Sequence, residues 1–122
     1  CFFDQVIRQN PIMIKRNRDF ITALSIDQLK DLLKPYQFSL KIEKEDDGTY
    51  TGFLKEIDLA CNASTPSEVI TQLAKDVHEY ATEYMEEFDL YYHSPNRKPH
   101  FPYVLSVLMQ PNAAAVEKMI HA

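Results

Sequence analysis

The sequence feature that most constrains the fold is a run of apolar side chains at helical spacing between Val69 and Phe88. This run is long enough for about six helical turns, roughly twice the length of an average helix. It follows Thr65-Pro66-Ser67-Glu68, in which Thr is an N-cap residue, Pro suits the first helical position and Glu completes a capping box. The sequence therefore predicts one long amphipathic helix against which other elements pack.

Before this helix, apolar and polar side chains alternate with a period of two residues. Residues 38–44 alternate apolar and polar side chains, and Glu45-Asp46-Asp47-Gly48 follows them as a turn signal. Residues 49–54 predict the returning strand, and residues 57–62 predict a third, weaker one. An antiparallel sheet packed on a long helix belongs to the α+β class, which is the fold class that we predict.

A hairpin and a helix are expected nearer the N-terminus. Residues 11–24 predict two short strands around the polar turn Lys15-Arg16-Asn17-Arg18-Asp19, because Asn and Asp tolerate the left-handed conformations that hairpins need. Ser25-Ile26-Asp27-Gln28 is a capping box, and the helix that it opens ends before Pro35. Residues 1–9 have helical spacing and predict the last turns of an earlier helix.

The C-terminal third is less regular. Residues 92–99 predict a loop, and residues 112–121 predict a terminal helix with an Ala-rich start. The apolar residues 101–109 suit either a strand or a short buried helix, of which we take the strand. The predicted domains are residues 1–35 and residues 36–122.

Composition narrows the class of protein. The 122 residues are 45% hydrophobic and 25% charged, which is typical of a soluble globular domain or of two very small ones. The longest apolar stretches fall short of the roughly 20 residues that cross a bilayer, so no membrane contact is expected. Two cysteines, Cys1 and Cys61, do not make a disulfide framework and favour a reduced, cytoplasmic protein.

Charge is unevenly distributed along the chain. Residues 1–18 carry four basic side chains against Asp4, a local charge of +3 within a net charge of -5. The rest of the chain therefore carries -8. A basic end suits phosphates and an acidic body suits a basic protein, although a solvated surface is the alternative for both.

Four short segments of the first 35 residues occur in a known order. They are Phe2-Phe3-Asp4-Gln5-Val6, Pro11-Ile12-Met13-Ile14-Lys15-Arg16, Ile21-Thr22-Ala23-Leu24 and Ser25-Ile26-Asp27-Gln28-Leu29. They resemble the N-terminal domain of Phd/YefM-type antitoxins, in which a helix leads to a hairpin and then to a second helix. Arg18-Asp19 replaces the glycine usual in that hairpin. The resemblance implies that the family's first strand and most of its first helix precede Cys1, so we expect an N-terminal truncation.

The alternating strand, the acidic turn, the returning strand and the start of the long helix form a second known order. With these segments, residues 38–90 resemble the small β-β-β-α domain of HicB-like antitoxins. Glu56-Ile57-Asp58-Leu59-Ala60-Cys61 matches a further family segment weakly, because it lacks the family's Pro and Gly.

The two resemblances imply a function. Phd-like antitoxins dimerise through the N-terminal domain, bind the promoter of their own operon and neutralise a co-expressed toxin, often a RelE-like ribonuclease. The resemblance thus implies a non-enzymatic antitoxin without a cofactor, whose partners are a basic RelE-like toxin, operator DNA and a second copy of the chain. The rival is a stand-alone HicB-like regulatory or protein-interaction domain that has no toxin.

The resemblance also implies a DNA-binding site. Arg16 stands at the position of the family's hairpin Arg and is the expected DNA contact, with Lys15 and Arg18 as phosphate partners and Asn17 at the tip. Contacts with phosphates release counterions, so affinity should fall steeply with salt. A solubilising tip that binds nothing is the alternative.

The acidic part of the long helix and the loop after it are the expected toxin-binding site, because toxin ribonucleases that hold RNA are basic. The residues are Glu83, Glu86, Glu87, Tyr91, Tyr92 and Arg97. Alternatively, the carboxylates only keep the protein soluble, and the tyrosines are partly buried in the core and bind no partner.

Catalytic and metal sites find little support in the sequence. Cys61, His78 and Asp58 lack the glycine-rich elbow and oxyanion hole of a nucleophilic hydrolase. The histidines and the aspartate that remain as zinc candidates, His93, His100, His121 and Asp89, match no known zinc spacing.

Overall fold

The computed structural model describes residues 11–122, which form two compact units divided between Lys34 and Pro35. Unit 1 is Cys1–Lys34 and unit 2 is Pro35–Ala122. The helix predicted over residues 1–9 lies outside the described residues. Across residues 11–122, no helix is both long enough and apolar enough to cross a membrane. Strands and helices occur together in the chain, so the predicted α+β class is confirmed.

Unit 1 contains a hairpin and a helix. Strand β1 (Ile12–Arg16) pairs antiparallel with β2 (Asp19–Ala23), and Arg16 lies opposite Asp19. The turn is therefore only Asn17-Arg18, shorter than the predicted five residues, because Lys15, Arg16 and Asp19 belong to the strands. Asn17 has a φ of 57°, the left-handed conformation that Asn tolerates.

Helix α1 of unit 1 covers Ile26–Leu33. The Ser25 hydroxyl accepts from the Gln28 backbone N–H at 3.2 Å, and the Gln28 side-chain oxygen accepts from the Ser25 N–H at 3.1 Å. The predicted capping box is confirmed, because both orphan donors at the helix start are satisfied.

Unit 2 is built on a four-stranded sheet in the order β5-β4-β3-β6. Strands β3 (Phe38–Lys44), β4 (Tyr50–Leu54) and β5 (Leu59–Ala63) are antiparallel neighbours, as the period-two pattern and the acidic turn predict. The third strand starts two residues later than predicted, after a turn in which Asp58 has a φ of 52°. The two-residue strand β6 (Ile120–His121) pairs parallel with β3.

The long helix, α2, covers Pro66–Glu86, and a short helix, α3, covers Phe88–Tyr92. The predicted single helix through Phe88 is thus interrupted at Glu87, which has a φ of -110° and a ψ of 40°. At the start of α2, the Thr65 hydroxyl accepts from the Glu68 N–H at 3.1 Å. The Glu68 carboxylate accepts from Ser64 and not from Thr65, so the predicted capping box is half formed.

The predicted strand over residues 101–109 is wrong. Residues Lys98–His100 form a 3-10 turn that leads into helix α4 (Phe101–Leu108). An apolar run of this length suits either element, and Pro102 fits only the first turn of a helix, where its missing N–H costs nothing. The predicted helix over residues 112–121 is shorter, since α5 covers Ala113–Glu117 and the chain then enters β6.

The core of unit 2 lies between one face of the sheet and helices α2, α4 and α5. Gly52 in β4 allows α2 to approach closely, because a Cβ atom there would collide with the Val69 side chain. The most deeply buried large side chains are Phe38, Leu54, Val69, Leu73, Val77, Tyr84, Val104 and Val107. Unit 2 therefore has an apolar interior of its own.

Candidate partner-binding surfaces

The hairpin tip of unit 1 presents the residues that were predicted to contact DNA. Lys15 and Arg16 end β1, Asn17 and Arg18 form the turn, and all four are exposed. The Lys15 ammonium lies 5.4 Å from the centre of the Phe20 ring, its neighbour across the hairpin. Three cations are thus displayed at one end of a short hairpin, an arrangement suited to phosphate groups.

The same unit exposes large apolar side chains. Met13, Phe20 and Ile21 expose 69%, 62% and 61% of their surfaces, and Ile14, Ile26 and Leu32 are also exposed. An isolated two-stranded hairpin is marginally stable in water. Exposed apolar groups in this number are typical of a protein interaction surface.

The three carboxylates predicted to bind the toxin, Glu83 and Glu86 in α2 and Glu87 just after it, do not act as one group. The Glu83 carboxylate accepts a hydrogen bond of 2.6 Å from the Tyr91 hydroxyl. Glu86 and Glu87 are exposed, and with Asp89 and Leu90 they line a shallow depression at the junction of α2 and α3. Glu83 therefore holds α3 to α2, whereas Glu86 and Glu87 face solvent.

Tyr91 and Arg97 are packed together, and Tyr91 lies in the short helix α3, which also takes in Tyr92, the first residue of the predicted loop. The Arg97 guanidinium carbon lies 4.2 Å from the centre of the Tyr91 ring, within cation–π distance. The Arg97 carbonyl accepts from the buried Tyr84 hydroxyl at 2.9 Å. Donation to the Glu83 carboxylate raises the pKa of Tyr91, since ionisation would place two anions together. These contacts fix the loop after α3.

Tyr92 is also in α3 and half-buried. Its ring stacks on Phe88 with centroids 4.9 Å apart, and it meets the Phe101 ring edge-on at 5.2 Å. The Lys98 ammonium lies 5.2 Å from its centroid. Tyr92 therefore joins α3 to the start of α4 while one side stays accessible.

A buried polar pair, Tyr80 and His100, was missed by the sequence reasoning. The Tyr80 hydroxyl and His100 Nδ1 are 2.6 Å apart. Burial raises the pKa of Tyr80 to about 12 and lowers the pKa of His100. The sequence suggested His100 only as a zinc ligand, and the sole signal for the pair was the place of Tyr80 on the apolar side of α2. Within the described part of the chain, no three His, Cys, Asp or Glu side chains group to hold a metal.

The catalytic alternative gains no support. The Cys61 thiol donates to the Val69 carbonyl at 3.6 Å, and burial raises the thiol pKa. A nucleophilic cysteine needs a lowered pKa. His78 is exposed on α2.

The chain thus combines a basic hairpin that exposes apolar side chains with an acidic α+β unit that has a closed core. The chain belongs to the PHD-like family, described as antitoxin of toxin–antitoxin, RelE/RelB, TA system, whose model matches residues 1–122. Membership of an antitoxin family indicates a binding or regulatory protein and implies a toxin partner.

A solved structure is similar over nearly the whole chain. It is a protein from Syntrophomonas wolfei subsp. wolfei described as the antitoxin part of a toxin/antitoxin system. The match has a TM-score of 0.93 and 41% identity, and it covers 99% of this chain and 87% of that one. No curated protein matches the chain.

Proposed function

We propose that the chain is the antitoxin of a type II toxin–antitoxin system, which neutralises a RelE-like ribonuclease by direct binding and represses its own operon as a dimer. The observation that carries the proposal is the family match over residues 1–122. In this proposal unit 1 is the Phd/YefM-like module, unit 2 is the HicB-like module, and the protein acts in the cytoplasm without catalysing a reaction.

The charge of each unit supports a division of labour. Unit 1 has six Lys or Arg against four Asp or Glu, and unit 2 has seven against fourteen. Their charges are therefore +2 and -7. A cationic hairpin suits the operator, and an anionic body suits a toxin whose RNA-binding surface is basic.

Dimerisation through unit 1 is supported by its exposed apolar side chains. A second hairpin laid on the face that carries Met13 and Phe20 would bury them and would double the cations available to a palindromic operator. Phe20→Glu should then convert dimer to monomer in light scattering while the thermal transition of unit 2 is kept.

Operator binding is proposed for Lys15, Arg16, Asn17 and Arg18. In a mobility-shift assay with the DNA upstream of its gene, Arg16→Ala should weaken binding and lower the slope of log K against log salt by about one for each phosphate that is no longer neutralised. Lys55→Ala, which removes an exposed cation from unit 2, is the control. Equal retention of wild type and Arg16→Ala would refute the assignment.

Toxin binding is proposed for the junction of α2 and α3, with Glu83, Glu86, Glu87, Tyr91, Tyr92 and Arg97 as the residues that form or support it. The test is co-expression with the basic protein encoded by the adjacent gene. Growth should be rescued by the wild-type chain. A neighbour that stays toxic, or a gene without such a neighbour, would favour the stand-alone regulatory domain instead.

A further inference from the structure

Strand β5 forms one edge of the sheet of unit 2. It pairs with β4 on one side, and among residues 11–122 no strand pairs with its other side. The open edge of a sheet presents backbone N–H and C=O groups with which another extended strand can pair. The outer side of β5 is therefore a candidate contact for a further strand.

The pairing of the neighbouring strands identifies the backbone groups that point to this open edge. The Glu45 N–H donates to the Thr49 carbonyl at 2.7 Å, and hydrogen-bonded pairs alternate along the β3–β4 ladder from there. Every second residue of β4 therefore bonds to β3, and the residues between them bond to β5. Gly52 is one of the latter, and it lies opposite Cys61. The two neighbours of Cys61 in β5 thus point their N–H and C=O groups outward.

These neighbours are Ala60 and Asn62, and the edge that they form lacks the features that prevent strand pairing. Both residues are exposed, and β5 contains no charged residue and no proline. The opposite side of the sheet differs, because β6 covers the first two residues of β3 and charged side chains occupy three of the five that follow. Proteins commonly use charged side chains to block an edge, so β5 is the unprotected edge of this sheet.

Strand β5 is complementary to a second copy of itself. When two copies run antiparallel with Cys61 opposite Cys61, Ala60 of each copy lies opposite Asn62 of the other. Residues opposed in this way exchange both their N–H and their C=O groups. The outward-pointing groups of Ala60 and Asn62 are then satisfied in both copies.

The groove between β5 and α2 carries charges in an order that suits the same arrangement. Glu68 and Lys75 both line this groove, are exposed and belong to no ion pair within residues 11–122. The Cys61 thiol donates to the Val69 carbonyl at 3.6 Å, and the β4 residue opposite Cys61 packs against Val69 and Leu73. The centre of the strand pair is thus level with the part of α2 between the two charges. An antiparallel copy reverses their order, so each Glu68 lies towards the Lys75 of the other copy.

We propose that β5 is a self-association edge, at which two copies of unit 2 join antiparallel into one continuous eight-stranded sheet. The occupant is a second copy of this chain, because its strand matches the edge groups and its groove charges oppose those of the first copy. One short strand and one groove make a small contact, so the pairing is transient and forms as concentration rises. It goes beyond the dimer proposed for unit 1 and requires neither DNA nor toxin.

The test is sedimentation velocity of the full chain over a range of protein concentrations. Ala60→Pro removes an N–H that the β4–β5 ladder does not use, a substitution that edge strands tolerate. The association constant should fall about tenfold or more, because a backbone hydrogen bond is lost from each copy. Ala113→Pro is the matched control, since Ala113 is the first residue of α5, where proline is favoured, and it should associate as the wild type does.

The contact proposed for unit 1 is removed by making the same comparison in a Phe20→Glu background. Phe20→Glu alone should be monomeric at low concentration, and its mean mass should increase as the concentration is raised. A mass that stays constant would refute pairing through β5 and would leave the antitoxin function standing. Equal association of Ala60→Pro and Ala113→Pro would refute it as well.

A charge exchange tests the arrangement without altering the strand. Lys75→Glu should weaken association, because it brings carboxylates together at both ends of the contact, and the addition of Glu68→Lys should restore it. Melting curves show which variants are folded, and the charge exchange decides the matter if Ala60→Pro is not. Failure of the second substitution to restore association would overturn the proposed pairing.

Toxin binding separates this proposal from the proposed function. Ala60→Pro should bind the toxin as the wild type does. Loss of toxin binding with unchanged self-association would assign the edge to a strand of the toxin and would overturn the proposal. Absence of toxin binding by the wild type would instead refute the antitoxin function, while concentration-dependent association that Ala60→Pro weakens would still support the pairing of β5.

Discussion

The two units of this chain differ in how much of their apolar side-chain surface they bury. Among the described residues, six of nine exposed large hydrophobic side chains belong to unit 1, although it is the smaller unit. Unit 2 packs its large side chains into one closed cluster between sheet and helices. The difference indicates that unit 2 is stabilised by its own interior, whereas the described part of unit 1 leaves most of its large apolar side chains uncovered.

The elements described in each unit give a physical reason for this difference. Residues 11–34 form one two-stranded hairpin and one short helix, and an isolated two-stranded hairpin is marginally stable in water. Unit 2 covers Pro35–Ala122 and is in the range where a single core suffices. Partner dependence is therefore expected in the basic unit and not in the acidic one.

The largest expected effect comes from Leu73→Ala in unit 2. Leu73 is fully buried against the sheet, so its truncation should lower the free energy of unfolding by about 2–5 kcal/mol through reduced burial and a cavity. Leu32→Ala in unit 1 is the matched control, since Leu32 is 63% exposed. Denaturant titration at several protein concentrations measures both.

The comparison predicts different concentration dependence for these two variants. The destabilisation in Leu73→Ala should be the same at every concentration, whereas any destabilisation in Leu32→Ala should grow as the protein is diluted and partners separate. A large, concentration-independent effect in Leu32→Ala would show that unit 1 is self-sufficient and would break the comparison.

Gly52→Ala should have the next largest effect. The added Cβ would overlap the Val69 side chain, so α2 must shift from the sheet at a cost of about 1–3 kcal/mol. Gly48→Ala is the control, because it adds a Cβ atom without a steric clash: nothing lies within 4 Å of that position. Alanine is disfavoured there only by the φ of 88°. Thermal melts that show no destabilisation in Gly52→Ala would contradict the close approach of α2.

Removal of the helix caps compares the units directly. Ser25→Ala in unit 1 and Thr65→Ala in unit 2 each remove a hydroxyl that accepts from a backbone N–H, at a cost of about 1 kcal/mol. Thr65→Ala should lower the melting temperature of unit 2, and Ser25→Ala should leave that transition in place while lowering helix content. Equal shifts of one common transition would show that the units unfold together.

The smallest expected effect is a pH dependence confined to unit 2. Burial and the nearby Arg97 charge lower the pKa of His100, while the Asp58 charge opposes them, and Tyr80 is its hydrogen-bond partner. The unfolded state then binds the proton first, so stability should fall as pH drops below about 6.5. Melting temperatures of wild type and His100→Gln between pH 5 and 8 check this; parallel curves would contradict it.

Sequence pattern was sufficient where one local signal dominates. The Ser25 capping box, the alternation of β3 and the apolar face of α2 each specify their element within a few residues. The apolar run that forms α4 has no such signal. Almost all of its side chains are apolar, so no alternation of polar and apolar residues distinguishes a helix from a strand. Strand β6 is too short for a pattern and exists through its pairing with distant β3.

The charges of the two candidate surfaces were predictable from the sequence, but their contacts were not. The cations of the hairpin tip and the carboxylates near the end of α2 are read directly from the sequence, and the structure leaves the hairpin cations exposed. The links Tyr91–Glu83, Arg97–Tyr91 and Tyr80–His100 depend on how the chain turns after Glu87. The apolar spacing of the sequence continues past Glu87 without a sign of this turn. The sequence therefore could not show which side chains make contacts within the chain and which are exposed.

The central claim is that operator DNA and toxin bind different units. It is tested most directly by measuring both affinities for Arg16→Ala in unit 1 and for Glu86→Gln with Glu87→Gln in unit 2. Arg16→Ala should lose DNA affinity and keep toxin affinity within about twofold, and the glutamine variant should show the reverse. A single variant that lowers both affinities, or an exchange of the two effects, would contradict the account.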